Sequence, residues 1–170
     1  MPADPSTSSH QGLSSLLERL CAAQVQFILV GGLAVVAQGV PITTFDIDIV
    51  PSPEEVNLRS LLALLQSLHA RFRGRPAGQL LKPTLDDLKA QGHCLLTTDL
   101  GPLDLLGKIE GGLGYPELLP NTVEIPYRSH PLRVLKLEAI VQLKRASKRE
   151  KDRLTLPTLE AALDRQRQKP

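Results

Sequence analysis

Aromatic side chains are scarce in this sequence of 170 residues: they make up 3% of it, with three Phe, two Tyr and no Trp. Proteins that bind single-stranded nucleic acid without sequence preference stack the bases on exposed aromatic rings. The composition therefore argues against that class of binder. Hydrophobic residues still make up 42% of the chain, which is typical of a folded protein. Its core must then consist mainly of Leu, Val, Ile and Ala.

A disulfide framework, a secretion signal and long apolar runs are also lacking. The two cysteines, Cys21 and Cys94, do not have the spacing of a metal or redox motif, and we expect both to be reduced. The first residues, MPADPSTSSHQG, lack the charged and apolar regions of a secretion signal. No apolar run approaches the length of a membrane helix. We therefore predict a cytoplasmic protein with no membrane segment.

Charge of one sign is not in large excess, since the net charge is only +2. That value is too small to indicate nucleic-acid binding by itself. Basic residues nevertheless cluster in RFRGRP, residues 71–76, and in KRASKREKDR, residues 144–153. Such clusters are usually solvated surfaces, and a role in phosphate binding requires a site nearby.

Apolar periodicity predicts an α+β protein with a mixed sheet flanked by helices. Leucines spaced by three and four residues indicate helices, whereas short alternating or continuous apolar runs indicate strands. The predicted strands are 25–30, 45–50, 93–100, 102–106, 122–127 and 130–135. We expect a flexible tail at residues 1–10, a loop at 71–83 and a single domain at 11–170. The C-terminal helices of this domain are predicted at about 136–166.

Two aspartates interrupt the alternating segment FDIDIV. Because side chains alternate across a strand, Asp46 and Asp48 share one face, with Cβ atoms roughly 7 Å apart. The opposite face carries Phe45, Ile47 and Ile49. Two neighbouring carboxylates repel each other and are best stabilised by a divalent cation. For such a pair alone, the solvated face of an edge strand is the commoner explanation.

Two further features favour a functional site. Gly31 and Gly32 separate an apolar strand from a helix, where glycine lets the backbone approach a phosphate and free N–H groups can bind it. The segment PLDLLG places a third aspartate on another apolar strand. If the two strands are neighbours, three carboxylates meet on one face, as in two-metal sites for phosphoryl transfer. The sequence thus predicts that Mg²⁺ or Mn²⁺ binds to Asp46, Asp48 and Asp104.

At these residues the sequence resembles the nucleotidyltransferase superfamily, which includes DNA polymerase beta and the aminoglycoside nucleotidyltransferases. The superfamily pattern is a hydrophobic residue, Gly-Gly or Gly-Ser, a short linker, and then Asp-hydrophobic-Asp. The segment GGLAVVAQGVPITTFDIDIV is more similar still to GGxAVxxxGxxRxTxDIDL. That pattern is typical of small bacterial minimal nucleotidyltransferases and of abortive-infection (AbiEii-type) toxin-like nucleotidyltransferases. Thr44 matches the threonine of the pattern, whereas Ile42 stands where an arginine is common.

The resemblance implies a nucleotidyltransferase-like fold and a metal-dependent transfer of a nucleoside monophosphate from an NTP to an acceptor. It implies that the three aspartates bind the metal ions, and that Asp104 could also take the proton of the acceptor. The residues assigned to nucleotide binding are Gly31, Gly32, Thr44 and Lys144.

Neither the acceptor nor turnover itself follows from the sequence. The acceptor could be RNA such as tRNA, a protein side chain, or an aminoglycoside or lincosamide antibiotic. The resemblance also allows a toxin of a toxin–antitoxin pair, with an antitoxin protein as partner. The alternative from another class is a catalytically degenerate domain that binds nucleotide or RNA, which the missing arginine favours.

The C-terminal basic segment carries three further expectations. Lys144 continues the apolar stripe of the helix predicted at LEAIVQLK, so its ammonium either reaches solvent or points at a phosphate. Lys151 and Asp152 are expected to form a local ion pair. Ser147, like Ser52 earlier in the chain, is followed three residues later by Glu, which predicts a capping box at each of these helix starts.

Overall fold

The computed structural model describes residues 5–74, 76 and 79–168. The strands in this part of the chain are β1 Phe27–Val30, β2 Ile47–Pro51, β3 Arg71–Phe72, β4 His93–Thr98, β5 Gly101–Leu106, β6 Thr122–Tyr127 and β7 His130–Leu135. Its α-helices are α1 Pro5–Ala22, α2 Gly31–Ala37, α3 Glu55–Ser67, α4 Leu85–Lys89, α5 Tyr115–Leu118, α6 Leu137–Ala146 and α7 Glu150–Arg167.

The strands form one mixed sheet in the order β3-β4-β5-β2-β1-β7-β6. The pairs β2–β5 and β1–β7 are parallel, and the other neighbouring strands are antiparallel. The α+β class and the mixed sheet predicted from the sequence are therefore confirmed. The aspartates of β2 and β5 are consequently on neighbouring central strands.

Part of the hydrophobic core lies on the face of the sheet opposite these aspartates. Leu29, Ile49 and Leu105 form one register row across β1, β2 and β5, and all three are buried. Helices α1 and α3 add leucine stripes to the same core, consisting of Leu13, Leu16, Leu17, Leu20, Leu58, Leu61, Leu64 and Leu65. Each fully buried leucine stabilises the fold by about 1.5–3 kcal/mol relative to an exposed one. The aliphatic core anticipated from the composition is thus present.

Strand β2 and helix α3 both begin later than the sequence predicts. Phe45 precedes β2 and is 68% exposed, so it does not share the buried face of Ile47 and Ile49. Helix α3 has Glu54 as its N-cap, without a side-chain capping bond, so the capping box expected at Ser52 is absent.

The buried side chain of Asn57 explains the late start of α3. It accepts a hydrogen bond from the N–H of Gln26 at 2.7 Å and donates to the carbonyl oxygens of Gln26 and Ser52, each at 2.9 Å. The N–H of Ser52 also donates to Gln26. These bonds hold Ser52 beside Gln26, the residue that precedes β1. The backbone therefore stays extended past Ser52, and α3 begins later.

The C-terminal helices α6 and α7 lie where they were predicted, but α7 begins at Glu150, with Arg149 as its N-cap and no side-chain capping bond. The hydroxyl of Ser147 instead donates to Asp152 at 2.7 Å and accepts from the N–H of Arg149 at 3.2 Å. Because Asp152 engages that hydroxyl, the capping box expected at Ser147 does not form.

Two predicted irregular segments are partly ordered. Helix α1 begins at Pro5, within the expected tail, while residues 1–4 lie outside the described residues. Strand β3 occupies the start of the expected loop at 71–83, and Arg75 also lies outside the described residues. A helix needs about 20 mostly apolar residues to cross a membrane. None of the helices in the described part of the chain meets the length and hydropathy that this requires.

Candidate active site

Three carboxylates meet where β2 and β5 lie side by side. Asp48 and Asp104 are register partners in this parallel pair, and Asp46 directly precedes β2. Each of the three aspartates offers one oxygen, and these oxygens all lie within 4.8 Å of one another. The sequence prediction that the two strands are neighbours and bring the aspartates together is therefore confirmed.

Burial and mutual repulsion favour protonation within this cluster. Burial, and then the charges of Asp46 and Asp104, raise the pKa of Asp48 to about 7, while Lys151 and Arg73 act in the opposite direction. Burial also raises the pKa of Asp104, although the guanidinium of Arg73 opposes this shift. When ionised, the cluster therefore holds repelling charges that a divalent cation would stabilise.

The two glycines at the start of α2 leave room for the cluster. Gly31 has a φ of +67°, in the left-handed region, and a Cβ there would overlap Oδ2 of Asp48 and lie 2.8 Å from its Cγ. A Cβ on Gly32 would lie 2.8 Å from the hydroxyl oxygen of Thr44. Val30, which precedes the pair, is the register partner of Asp48 on β1. Only glycine lets the chain pass so close to both side chains.

Thr44 restrains the segment that carries Asp46. Its hydroxyl lies 3.3 Å from both the backbone carbonyl oxygen and Oδ1 of Asp46, and can donate to either. This restraint matters because residues 41–45 belong to neither a helix nor a strand. Ile42, at the position where the sequence pattern has arginine, packs partly buried against the hydrophobic core. A cation near the carboxylates must therefore come from another element.

Arg73, which sequence reasoning missed, supplies one such cation. The backbone N–H of Arg73 donates to the carbonyl oxygen of Leu95 at 2.8 Å, directly after the residues where β3 pairs with β4. Leu95 is in turn the register partner of Asp104. The guanidinium of Arg73 donates to Oδ1 of Asp104 and forms an ion pair with it. The side chain of Asp104 is 12% exposed and that of Arg73 is 34% exposed. No periodic signal in the sequence identifies the neighbouring strand β3, because it has only two residues.

Lys144 is paired with Asp152, across the junction between α6 and α7. Burial acts to raise the pKa of Asp152, but hydrogen bonds from Lys144 and Ser147 outweigh this effect and lower it. Asp152 is thus the partner of Lys144, and the local pair of Asp152 with Lys151 expected from the sequence is not formed. The charge of Lys151 instead acts on Asp48 and lowers its pKa. Nucleotide binding by Lys144 stays a prediction.

The donor set of the cluster fits a hard divalent cation. All three ligand groups are carboxylates, which Mg²⁺ and Mn²⁺ prefer over softer ligands. Mg²⁺ usually keeps part of its coordination shell for water and substrate phosphates. Asp46, Asp48 and Asp104 can therefore fill part of the coordination shell of such a cation. The rest of the shell is then available to a phosphorylated ligand.

No protein-family model matches this chain, and no curated protein sequence is significantly similar to it. Among solved structures, the lincosamide antibiotic adenylyltransferase LnuA, with lincomycin bound, is 18% identical to it. The match has a TM-score of 0.57 and covers 89% of this chain and 96% of that one. A Thermotoga maritima protein, provisionally assigned as a nucleotidyltransferase, is 20% identical, with a TM-score of 0.49 and coverage of 84% and 91%. The likeness to the adenylyltransferase shows that this chain has a nucleotidyltransferase-like fold.

Proposed function

We propose that this chain is a metal-dependent nucleotidyltransferase, which transfers a nucleoside monophosphate from an NTP to an acceptor and releases pyrophosphate. The observation that carries the proposal is the convergence of three carboxylates on adjacent central strands. The glycine pair that packs against Asp48 supports it, because close backbone approach is what phosphate binding requires. The nucleotidyltransferase-like fold is consistent with the proposed activity.

In the proposed reaction, an acceptor oxygen attacks the α-phosphorus of the NTP. The bond between that phosphorus and the oxygen bridging to the β-phosphate breaks, and pyrophosphate leaves with the bonding electrons. Asp46, Asp48 and Asp104 would hold Mg²⁺ or Mn²⁺, which when bound offsets the charge of the phosphates and makes the acceptor oxygen more nucleophilic. Asp104 would also accept the proton that the acceptor loses.

The nucleotide would bind along the turn from β1 into α2. Gly31 and Gly32 would present backbone N–H groups to the triphosphate, and Thr44 would keep Asp46 in place beside it. Lys151, whose charge acts on Asp48, would offset part of the phosphate charge. Lys144, the residue predicted from the sequence, would take part only after releasing Asp152.

An acceptor that carries phosphates, such as tRNA, suits the basic side chains Arg71 and Arg73 at the end of the sheet. With such an acceptor the protein would act as the toxin of a toxin–antitoxin pair, as the abortive-infection resemblance implies, and an antitoxin protein would be its partner. The reaction would draw NTP and Mg²⁺ from the cytoplasm, the compartment that the sequence predicts.

A second candidate function is nucleotidyl transfer to a small antibiotic of the lincosamide or aminoglycoside class. It is favoured by exposed apolar side chains next to the carboxylates. Phe45, directly before Asp46, is 68% exposed, and Leu95, the register partner of Asp104, is 43% exposed. These groups could pack against the apolar parts of a ring-containing molecule. The fold likeness to a lincosamide adenylyltransferase is in keeping with this candidate.

The deciding experiment incubates the protein with NTPs radiolabelled at the α-phosphate, with Mg²⁺ or Mn²⁺, and with total tRNA, lincomycin or an aminoglycoside in parallel. We expect label to pass to one acceptor, and to none when Asp48→Asn is used. Asp164→Asn, at an exposed position of α7, is the matched control and should transfer normally.

The outcomes distinguish the alternatives. Label on tRNA supports the RNA-directed function, and label on an antibiotic supports the second candidate. Metal-dependent NTP binding without any transfer supports the catalytically degenerate domain, for which the isoleucine at position 42 is the sequence argument. Absence of metal-dependent NTP binding in the parent protein would contradict the proposed function altogether.

A further inference from the structure

We propose that Arg73 is a positioning residue that holds Asp104 in the metal-free protein and releases it when a divalent cation binds. Arg73 would thereby control how readily the third carboxylate takes up metal. This inference rests on the proposed function, because it requires Asp104 to be a metal ligand. It concerns a residue that belongs neither to the carboxylate cluster nor to the glycine turn.

The guanidinium and a divalent cation would compete for the same carboxylate. Arg73 donates to Oδ1 of Asp104, and Asp104 is only 8% exposed. At a buried position water and salt screen charge poorly, so two cations at one carboxylate repel each other strongly. When a metal ion binds to Asp104, the guanidinium of Arg73 must therefore move away. Otherwise it shares the carboxylate with the metal ion, at a cost in free energy.

The pairing with Asp104 does not satisfy the guanidinium. Its buried Nε has no hydrogen-bond partner among the described residues. Burying this N–H group away from water costs free energy, and in this arrangement no hydrogen bond offsets that cost. Once released, its planar set of donors could bind two oxygens of a phosphate at the same time. Arg73 would then exchange the carboxylate for an anionic group of the substrate.

The position of Arg73 at the end of the sheet permits this exchange. Strand β3 has only two residues, lies at one edge of the sheet and, among the described strands, pairs with β4. The backbone N–H of Phe72 in this strand also donates to the carbonyl oxygen of Leu81. A shift of Arg73 would cost the bond from its N–H to Leu95, but would not disturb β2 and β5, which carry the aspartates. The carboxylates can thus stay in place while the cation partner of Asp104 changes.

The test measures Mn²⁺ binding without nucleotide, from the electron paramagnetic resonance signal of free Mn²⁺. Arg73→Met should bind Mn²⁺ about tenfold more tightly than the parent, because the competing charge-assisted pair is gone. Arg71→Met is the matched control: Arg71 has the same charge, lies two residues earlier and is the register partner of Thr97 rather than a neighbour of Asp104. Its Mn²⁺ affinity should be close to that of the parent.

A second pair of variants distinguishes direct competition from a general charge effect. In the Asp104→Asn protein, Arg73→Met should change Mn²⁺ affinity much less, because the shared carboxylate is absent and only the effect of the Arg73 charge on Asp48 is left. Arg73→Lys keeps the charge but loses the planar donor set, and should bind Mn²⁺ with intermediate affinity. It also provides a test should Arg73→Met fail to fold, which circular dichroism would show.

Three results would overturn the inference: unchanged or weaker Mn²⁺ binding by Arg73→Met, an equal gain in Arg71→Met, or a gain of undiminished size with Asp104→Asn. If the parent transfers nucleotide and Arg73→Met binds Mn²⁺ as the parent does, only this inference fails. If neither protein binds Mn²⁺ even with ATP present, the proposed function fails as well.

Discussion

Gly31 lies against the carboxylate of Asp48, with no space between them for a side-chain carbon. Gly39 also has a left-handed backbone, with a φ of +83°, but a Cβ there would meet nothing within 4 Å. The two glycines therefore separate the cost of backbone strain from the cost of steric overlap with the site.

Gly39→Ala should lower the free energy of unfolding by about 1–2 kcal/mol, the cost of a left-handed alanine. Gly31→Ala carries the same backbone strain and also displaces Asp48, so it should lower the free energy of unfolding by about 2–5 kcal/mol. Urea denaturation of both variants gives these values directly. Equal losses would show that Asp48 can move away from Gly31 without penalty.

Asp48→Asn should stabilise the protein at neutral and alkaline pH when metal is removed by chelation. The pKa of Asp48 rises from 3.8 to about 7 on folding, so the folded state holds this proton more tightly. Stability therefore falls as pH rises through that window, and it stays low above it. The variant lacks this fall: it should match the parent near about pH 4 and melt a few degrees higher near about pH 8.

Thermal unfolding across this pH range checks the prediction, and Asp164→Asn on the exposed surface of α7 is the control. A parent and an Asp48→Asn protein with parallel pH profiles would mean that Asp48 titrates at its ordinary pKa.

Lys144→Met should destabilise the protein by about 2–3 kcal/mol, because it leaves the carboxylate of Asp152 without its cation in a largely buried position. A lysine that only extended into solvent would tolerate this change. The pKa of Asp152 is lowered from 3.8, so the stabilisation is present above that pH and is lost as pH falls through the lower folded value.

A double-mutant cycle of Lys144→Met with Asp152→Asn, measured by urea denaturation, checks this pair. The effects of the two substitutions should be less than additive when combined. Additive effects would mean that the ion pair contributes nothing to stability.

Thr44→Val should weaken the binding of Mn²⁺ together with ATP, because the hydroxyl that restrains Asp46 is replaced by a methyl group of similar size. Thr44→Ser keeps the hydroxyl and should bind nearly as the parent does. Isothermal titration calorimetry of both variants measures the difference. If both variants bind as tightly as the parent, Asp46 does not need this restraint.

The carboxylate cluster could be predicted because alternation on a strand fixes which side chains share a face. Leu103 and Leu105 must lie on the buried side, so Asp104 must lie on the other, and a pairing that matches the apolar faces of β2 and β5 brings it to Asp48. The sequence therefore predicted that these two aspartates lie on the same face of the sheet, although it did not specify the exact register between their strands.

The partners of charged side chains could not be predicted in the same way. A strand of two residues such as β3 is too short for periodicity, so Arg73 was placed in a loop. The pairing of Lys144 with Asp152 depends on the angle between two helices, which follows from packing rather than from sequence spacing. At Ser52, hydrogen bonds from the more distant Asn57 overrode the local capping signal.

Strands β2 and β5 are neighbours in the sheet, although α3, β3, α4 and β4 lie between them in the chain. Contacts of such long sequence separation form slowly, because the chain loses loop-closure entropy before the pairing stabilises it. During much of folding, Asp104 is thus apart from Asp46 and Asp48, and the three carboxylates bind no cation together. A metal ion bound to the native cluster should accordingly slow the unfolding rate and leave the folding rate almost unchanged.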